Sequence, residues 1–148
     1  MLSISIEEFL FWKKKQLSKG GDQQSFDVLV DCIGGISTSD LNLISINLEG
    51  KLHLKKKLEF LESLWDDHLL KSCPIQYLCG ITFWRDLKLK VTNKVLIPRP
   101  ETELIVDIVF NIFRRKSEKL FFAELGTGSG AISTVSYTHL TLPTSDLV

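Results

Sequence analysis

The sequence predicts a multidomain α + α/β chain: an N-terminal helical bundle, a β-hairpin linker, and the opening of an α/β domain. Three observations carry this. Apolar residues recur at helical spacing through the first seventy residues, the apolar period shortens toward two after Pro74, and residues 120–132 read Leu-Phe-Phe-Ala-Glu-Leu-Gly-Thr-Gly-Ser-Gly-Ala-Ile. The 148 residues suffice for one ordinary domain, or a small domain plus part of another. A hydrophobic content of 44% with 24% charged residues is that of a globular protein. Zero net charge excludes a global attraction to nucleic acid or to a membrane surface. Cys32, Cys73 and Cys79 lack C-x-x-C spacing and are read as reduced thiols, with no metal site. No apolar run approaches the ~20 residues of a membrane span. The expected location is the cytoplasm, and the expected state a monomer.

Ser5-Ile6-Glu7-Glu8 forms a capping box, with Ile4 and Phe9 placed as the hydrophobic staple. The helix it opens carries Phe9, Trp12 and Gln16-Leu17 at helical spacing and should end at Gly20-Gly21. Asp22 caps a second helix bearing Phe26, Leu29, Val30 and Ile33, stopped by Gly34-Gly35. Between residues 37 and 53 the pattern fits a helix through Leu41, Ile44 and Leu48, and partly a strand; a short helix capped by Ser39 is expected. Residues 55–71 place Leu58, Leu61, Trp65 and Leu69 on one helical face. The lysine runs 13–15 and 55–57 read as solvated faces, and His53 and His68 lack a metal-ligating partner.

From Tyr77 to Ile97 the residues suit a β-hairpin, with Arg85-Asp86 and Thr92-Asn93 as turns and Trp84 as a buried anchor. Pro98-Arg99-Pro100-Glu101-Thr102-Glu103 follows. Pro98 keeps Ile97 extended, Pro100 suits a first helical turn, and the glutamates complement the positive helix end. Leu104, Ile105, Ile108 and Ile112 give that helix an apolar face.

The stretch 120–132 reads as strand, tight turn and helix start. Gly126, Gly128 and Gly130 permit positive φ and let a ligand approach the backbone, and the following helix offers free N–H groups. Gly126, Gly128 and Ala131 also satisfy G-x-G-x-x-G/A, so the glycines alone do not separate a nicotinamide dinucleotide from S-adenosylmethionine.

Taken together, Pro74-Ile75-Gln76-Tyr77-Leu78 with Gly80, Phe83-Trp84, the run Val95 through Glu103, and Glu124 through Ile132 resemble the N-terminal half of peptide chain release factor N5-glutamine methyltransferases of the PrmC/HemK family. Pro-Arg-Pro-Glu-Thr-Glu is the specific element. The resemblance implies a helical release-factor-recognition domain at residues 1–73, a β-hairpin linker at 74–98, and a truncated class I (Rossmann-like) methyltransferase domain at 99–148. It implies S-adenosyl-L-methionine as cofactor, class 1 release factors as partners, no direct nucleic-acid contact, and methyl transfer to the glutamine amide of their Gly-Gly-Gln motif. Glu124, Gly126, Thr127, Gly128, Ser129 and Gly130 match the cofactor-binding motif, with Pro98, Arg99, Pro100, Glu101 and Thr102 as pocket support.

Glu124 stands where the family usually has Asp. The family's acidic residue after the next strand and its Asn-Pro-Pro-Tyr motif have no counterpart here, so no catalytic residue is assigned. The family resemblance ends near Ile132. Residues 133–148, rich in β-branched and hydroxyl side chains and containing Pro143, read as a foreign tail able to sustain a helix for a turn or two. The chain itself is expected to be inactive, with its uncovered α/β segment exposing apolar surface and Leu120 to Leu125 exposed or mispaired.

Overall fold

The computed structural model describes residues 2–44, 50–113 and 123–140, except for the side chains of 138–140. The chain folds as two compact units, Met1–Cys79 and Gly80–Val148. It combines helices with two small antiparallel sheets.

The first unit opens with β1 (Leu2–Ser5) and α1 (Ile6–Ser18). The Ser5 hydroxyl accepts the Glu8 N–H at 3.2 Å, and Ile4 and Phe9 both enter the core, as the capping box and staple require. Gly20 and Gly21 end α1 at positive φ. Gly21 is also packed: a Cβ there would lie 2.6 Å from Trp65 Cζ2. Asp22 caps α2 (Gln23–Leu29), its Oδ1 accepting the Ser25 N–H at 2.8 Å. That bond holds the Asp22 carboxyl below its ordinary range. A π-helical turn, Val30–Gly34, follows, and Gly35 closes it at φ +80°.

The third helix, α3 (Thr38–Ile44), begins one residue before Ser39, and its cap is Ser37, whose hydroxyl accepts the Asp40 N–H at 3.1 Å. The expected cap at Ser39 is therefore corrected. Ser37 wins because it reaches the third-residue N–H while Asp40 Oδ2 accepts its O–H at 2.6 Å. Part of the expected helical stretch is a strand instead. β2 (Lys51–Leu54) pairs with β1 in antiparallel register, Leu2 opposite Leu54 and Ile4 opposite Leu52.

α4 (Leu58–Leu70) buries Leu61 and Trp65, with Leu58 and Leu69 packed beside them. Aromatic rings chain through this core. Phe9 meets Trp12 at 5.8 Å, Trp12 meets Phe26 at 5.4 Å, and Phe26 meets Trp65 edge-on at 5.1 Å. The Trp65 indole N–H donates to the Gln16 carbonyl at 3.2 Å. Lys19 bonds Glu62 and Asp66 at 2.8 and 2.9 Å across the α1–α4 seam, which raises the ammonium and lowers the Glu62 carboxyl. Lys13 pairs with Asp27 at 2.6 Å, so one lysine of the first run is structural. α5 (Ile75–Cys79) completes the unit, with Ile75 in the core.

The second unit begins with the expected hairpin, β3 (Ile81–Trp84) and β4 (Leu87–Lys90), Trp84 opposite Leu87. The two-residue turn places Arg85 at φ +50°, the left-handed backbone that such hairpins need. Pro100–Thr102 form a 3₁₀ turn, and α6 (Glu103–Phe113) continues from it. α6 buries Val106 and packs Phe110, whereas Leu104, Ile105, Ile108 and Ile112 are 52–65% exposed. The apolar face read from the sequence is thus the uncovered one among the described residues.

α7 (Ala131–Leu140) runs ten residues, just under three turns and so at the upper edge of the turn or two expected after Ile132. Helix propensity penalties for Ser, Thr and Val amount to only tenths of a kilocalorie each, about 0.7 kcal/mol at most per residue. Burial of Ala131 and Val135 in a shared core with Trp84 and Val106 outweighs them. Residues 120–122 of the expected strand and Pro143 of the tail lie outside the described residues. Ala123 to Leu125 are not in a strand, and Leu125 is 95% exposed. A strand of a parallel sheet needs neighbours to bond, and the pairings among the described residues are the two antiparallel ones.

Candidate cofactor site

Local geometry at the glycine loop follows from its sequence. Gly126, Gly128 and Gly130 adopt φ of +73°, +57° and +75°, a backbone that side-chain-bearing residues rarely take. Space is not what demands glycine: no heavy atom lies within 4 Å of a Cβ placed on Gly126. The loop tightens into a helix start, the Gly130 N–H donating to the Thr127 carbonyl and the Thr134 N–H to the Gly130 carbonyl, both at 2.9 Å.

Glu124 reaches across this loop. Its Oε2 accepts the Ser133 N–H at 3.1 Å and the Ser133 hydroxyl, placing a carboxylate at the first turn of α7 where the helix dipole favours it. Thr127 Oγ1 donates to the Glu124 carbonyl at 3.4 Å. Thr127 is exposed, and Ser129 and Gly130 are half-buried, so the loop's outer edge faces solvent.

The proline-rich segment is held from the hairpin. The Trp84 indole N–H donates to the Arg99 carbonyl at 3.0 Å, and Trp84 is 2% exposed. The next residue continues the grip: Arg85 donates to the Glu103 carbonyl at 3.2 Å and pairs with Asp107 at 2.8 Å. The Arg99 carbonyl also accepts the Thr102 N–H at 3.0 Å, forming the 3₁₀ turn. Arg99, Pro100 and Glu101 are exposed, while Pro98 and Thr102 are half-buried.

Through the core of Trp84, Val106, Ala131 and Val135, the helix that follows the proline segment packs against the helix that follows the glycine loop. The sequence reading missed two members of this arrangement. Arg85 is read there only as a turn residue; an arginine at a hairpin tip twenty-two residues before Asp107 offers no linear signal of that pairing. Ser133 falls in a stretch read as foreign.

Elsewhere, a groove of about 370 Å³ in the first unit is lined by Ile6, Ile36, Asp40, Leu43, Lys51 and His53 among others, and contains none of the expected site residues. Among the described residues, no group of three or more His, Cys, Asp or Glu is placed to hold a metal, and no helix is long and apolar enough to cross a membrane. His68 has a structural partner instead, its Nδ1 lying 2.8 Å from the Cys73 carbonyl.

No protein-family model matches the chain. Curated relatives do. The release factor glutamine methyltransferase of Prochlorococcus marinus is 42% identical over 131 residues, 88% of this chain and 45% of the relative. That of a Synechocystis species is 41% identical over 141 residues, covering 88% and 46%, and that of Coxiella burnetii is 36% identical over 123 residues, covering 81% and 42%. The chain therefore spans somewhat under half the length of these relatives, and over most of its own length it is similar to release factor glutamine methyltransferases.

Proposed function

We propose that this chain carries part of the cofactor-binding apparatus of an S-adenosylmethionine-dependent protein methyltransferase whose full-length form methylates the N5 amide of glutamine in the Gly-Gly-Gln motif of class 1 release factors. The observation that carries the reading is the Gly126 to Gly130 turn, three glycines at positive φ leading into α7, in a chain similar to release factor glutamine methyltransferases. The cofactor supplies an electrophilic methyl on a sulfonium. Glu124, Gly126, Thr127, Gly128, Ser129 and Gly130 hold its amino-acid end: the open backbone admits it closely, and the Glu124 carboxylate attracts its ammonium. Because Glu124 already supplies the anion at the first turn of α7, the loop suits a cation better than a phosphate, which separates this reading from a dinucleotide site. Pro98, Arg99, Pro100, Glu101 and Thr102 support the pocket, braced by Trp84 and Arg85.

An amide nitrogen is a weak nucleophile because its lone pair is delocalised into the carbonyl. Transfer needs that nitrogen held in line with the methyl and its N–H groups met by oriented acceptors. The Asn-Pro-Pro-Tyr motif that serves this role in the family has no counterpart in the sequence. The 148-residue chain is accordingly inert on its own. The test is incubation with a class 1 release factor and methyl-labelled S-adenosylmethionine in the cytoplasmic pH range. No incorporation above background is expected from this chain, and incorporation from a longer form containing the missing motif; methylation by the chain alone refutes the inactivity, and inactivity of the longer form refutes the assignment.

A second reading has its own observation. The first unit has a self-contained core in which Phe9, Phe26, Leu61 and Trp65 are all fully buried. Such a unit binds release factor without catalysis. Capture of purified release factor by the intact chain, abolished by unfolding the first unit, is expected; no capture at high micromolar concentration excludes this reading.

A further inference from the structure

We propose that the groove beside β2 in the first unit, with the row of lysines that starts on its wall, docks an acidic polypeptide segment that inserts an aliphatic side chain. The groove holds about 370 Å³, within the span of ligand pockets, roughly 300–1,000 Å³. Ile6, Ile36, Ile44 and Leu52 line it, and Leu43 lines it while staying 62% exposed. The charge comes from the strand. Lys51 and His53 line the groove from alternate positions of β2, and Lys55 stands one step further along. Lys55 is tied to the same wall: its N–H donates to the Gly34 carbonyl at 2.8 Å, and a Cβ on Gly35, a groove residue, would lie 2.6 Å from Lys55 Cδ. Lys56 and Lys57 continue the row, and all four lysines are exposed. Across the ribbon, Ser5 faces Lys51 and Ser3 faces His53, so the paired strand brings no carboxylate. Asp40 is the one acid among the described lining residues, and its Oδ2 already accepts the Ser37 O–H at 2.6 Å.

A short lysine run is ordinarily a solvated face, but this row differs in two respects. Four of the unit's five other lysines, Lys13, Lys15, Lys19 and Lys71, each meet a carboxylate, whereas Lys51, Lys55, Lys56 and Lys57 meet none among the described residues. Lys55, Lys56 and Lys57 also crowd the positive end of α4, where Lys57 caps the helix without a side-chain bond, so they oppose the helix dipole and repel one another. The cluster works against the fold. Carboxylates on a partner relieve that repulsion and steer it to the groove, whose aliphatic lining then takes an apolar side chain from water. Nucleic acid fits this surface less well, because no Phe, Tyr or Trp lines the groove for base stacking and no Arg for bidentate phosphate contact. The surface is defined by its chemistry whichever protein carries the segment, and it therefore goes beyond both readings above.

The experiment pans the intact chain against a randomised peptide library, measures the selected peptide by fluorescence anisotropy, and maps its contacts by amide NMR shifts. The expected peptide carries Asp or Glu on both sides of a Leu, Ile, Val or Met, and its largest shifts fall on residues 36–44 and 51–57. The double variant Lys51→Glu, Lys55→Glu should weaken it about tenfold or more, and added salt should weaken the wild-type complex in the same direction. Leu43→Asp, at an exposed side chain, should weaken it comparably, while Lys14→Glu, outside the groove, should leave it unchanged. Each variant's amide spectrum away from the groove should match the wild type, which separates lost binding from lost folding. Failure to select a binder, a selected peptide without acids, shifts centred elsewhere, affinity indifferent to the double substitution, or tighter binding of oligouridylate than of the peptide at equal salt overturns the proposal.

Discussion

Replacing Trp84 by alanine should unfold the second unit while leaving the first intact. Among the described residues, Trp84 shares one buried cluster of the second unit with Val106, Ala131 and Val135. Truncating a buried tryptophan to alanine costs about 3–5 kcal/mol. Whole domains reach only about 5–15 kcal/mol, so a loss of that size at this cluster is a large share of what a small unit has. Trp84→Phe separates packing from hydrogen bonding. It removes the 3.0 Å bond to the Arg99 carbonyl, but that carbonyl still accepts the Thr102 N–H, so it is not stranded. The cost should therefore stay near 1 kcal/mol, roughly that of one net hydrogen bond. Phe83→Ala is the control: its ring is 67% exposed, and the change should lie within about 0.5 kcal/mol. Hydrogen exchange followed by mass spectrometry reads both units at once. Trp84→Ala should abolish protection in peptides from 81–113 and 131–137 without altering those from 6–44. Retained protection in the alanine variant, or equal damage from Phe83→Ala, would refute the assignment of Trp84 as the keystone of that unit.

Asp22→Ala should destabilise the first unit by about 0.5–2 kcal/mol at neutral pH through loss of the α2 cap. Because the native carboxyl titrates below its ordinary value, its stabilisation is complete above the unfolded carboxylate pKa and disappears as pH falls through the lower folded one; the wild-type and variant denaturation midpoints should converge there. Gly21→Ala should cost well over 1 kcal/mol, since a Cβ would meet Trp65 Cζ2 at 2.6 Å on a backbone at φ +84°; an unchanged melting temperature would contradict the packing. Gln16→Met should stabilise the first unit by about 1 kcal/mol, because the fully buried Gln16 amide helps Lys19 hold the Glu62 carboxyl low yet meets hydrogen-bond geometry with no partner; a lower urea midpoint would show that the Glu62 contact is a true hydrogen bond.

Local chemistry was readable along the chain. Ser5 and Asp22 cap helices because a side-chain oxygen needs only the next turn to bond, and the Arg85-Asp86 turn needs only its flanking strands. Non-local structure was not. Leu2–Ser5 and Lys51–Leu54 are each too short to show alternation, and each becomes a strand because the other is present. α6 illustrates a different limit. Its sequence, Glu-Leu-Ile-Val-Asp-Ile-Val-Phe-Asn-Ile-Phe, is apolar around most of its circumference, so periodicity cannot say that Val106 turns inward while Ile105 and Ile108 turn out. For the site, the glycines and Glu124 announce themselves by spacing, whereas the partner of Glu124 is a serine nine residues later and carries no signature of its own.

The β1–β2 ribbon also sets a schedule. Leu2 lies opposite Leu54, so the first strand must wait for more than fifty residues before it has anything to bond. α1, capped within its own first turn, has no such delay. Closing so long a loop is entropically slow, and rates fall as such distant pairings dominate. The opening four-residue strand is thus made well before its partner and is among the last segments to settle. Denaturant should then release it early, with the exchange of its amides outpacing that of α1 by the free energy of that one pairing.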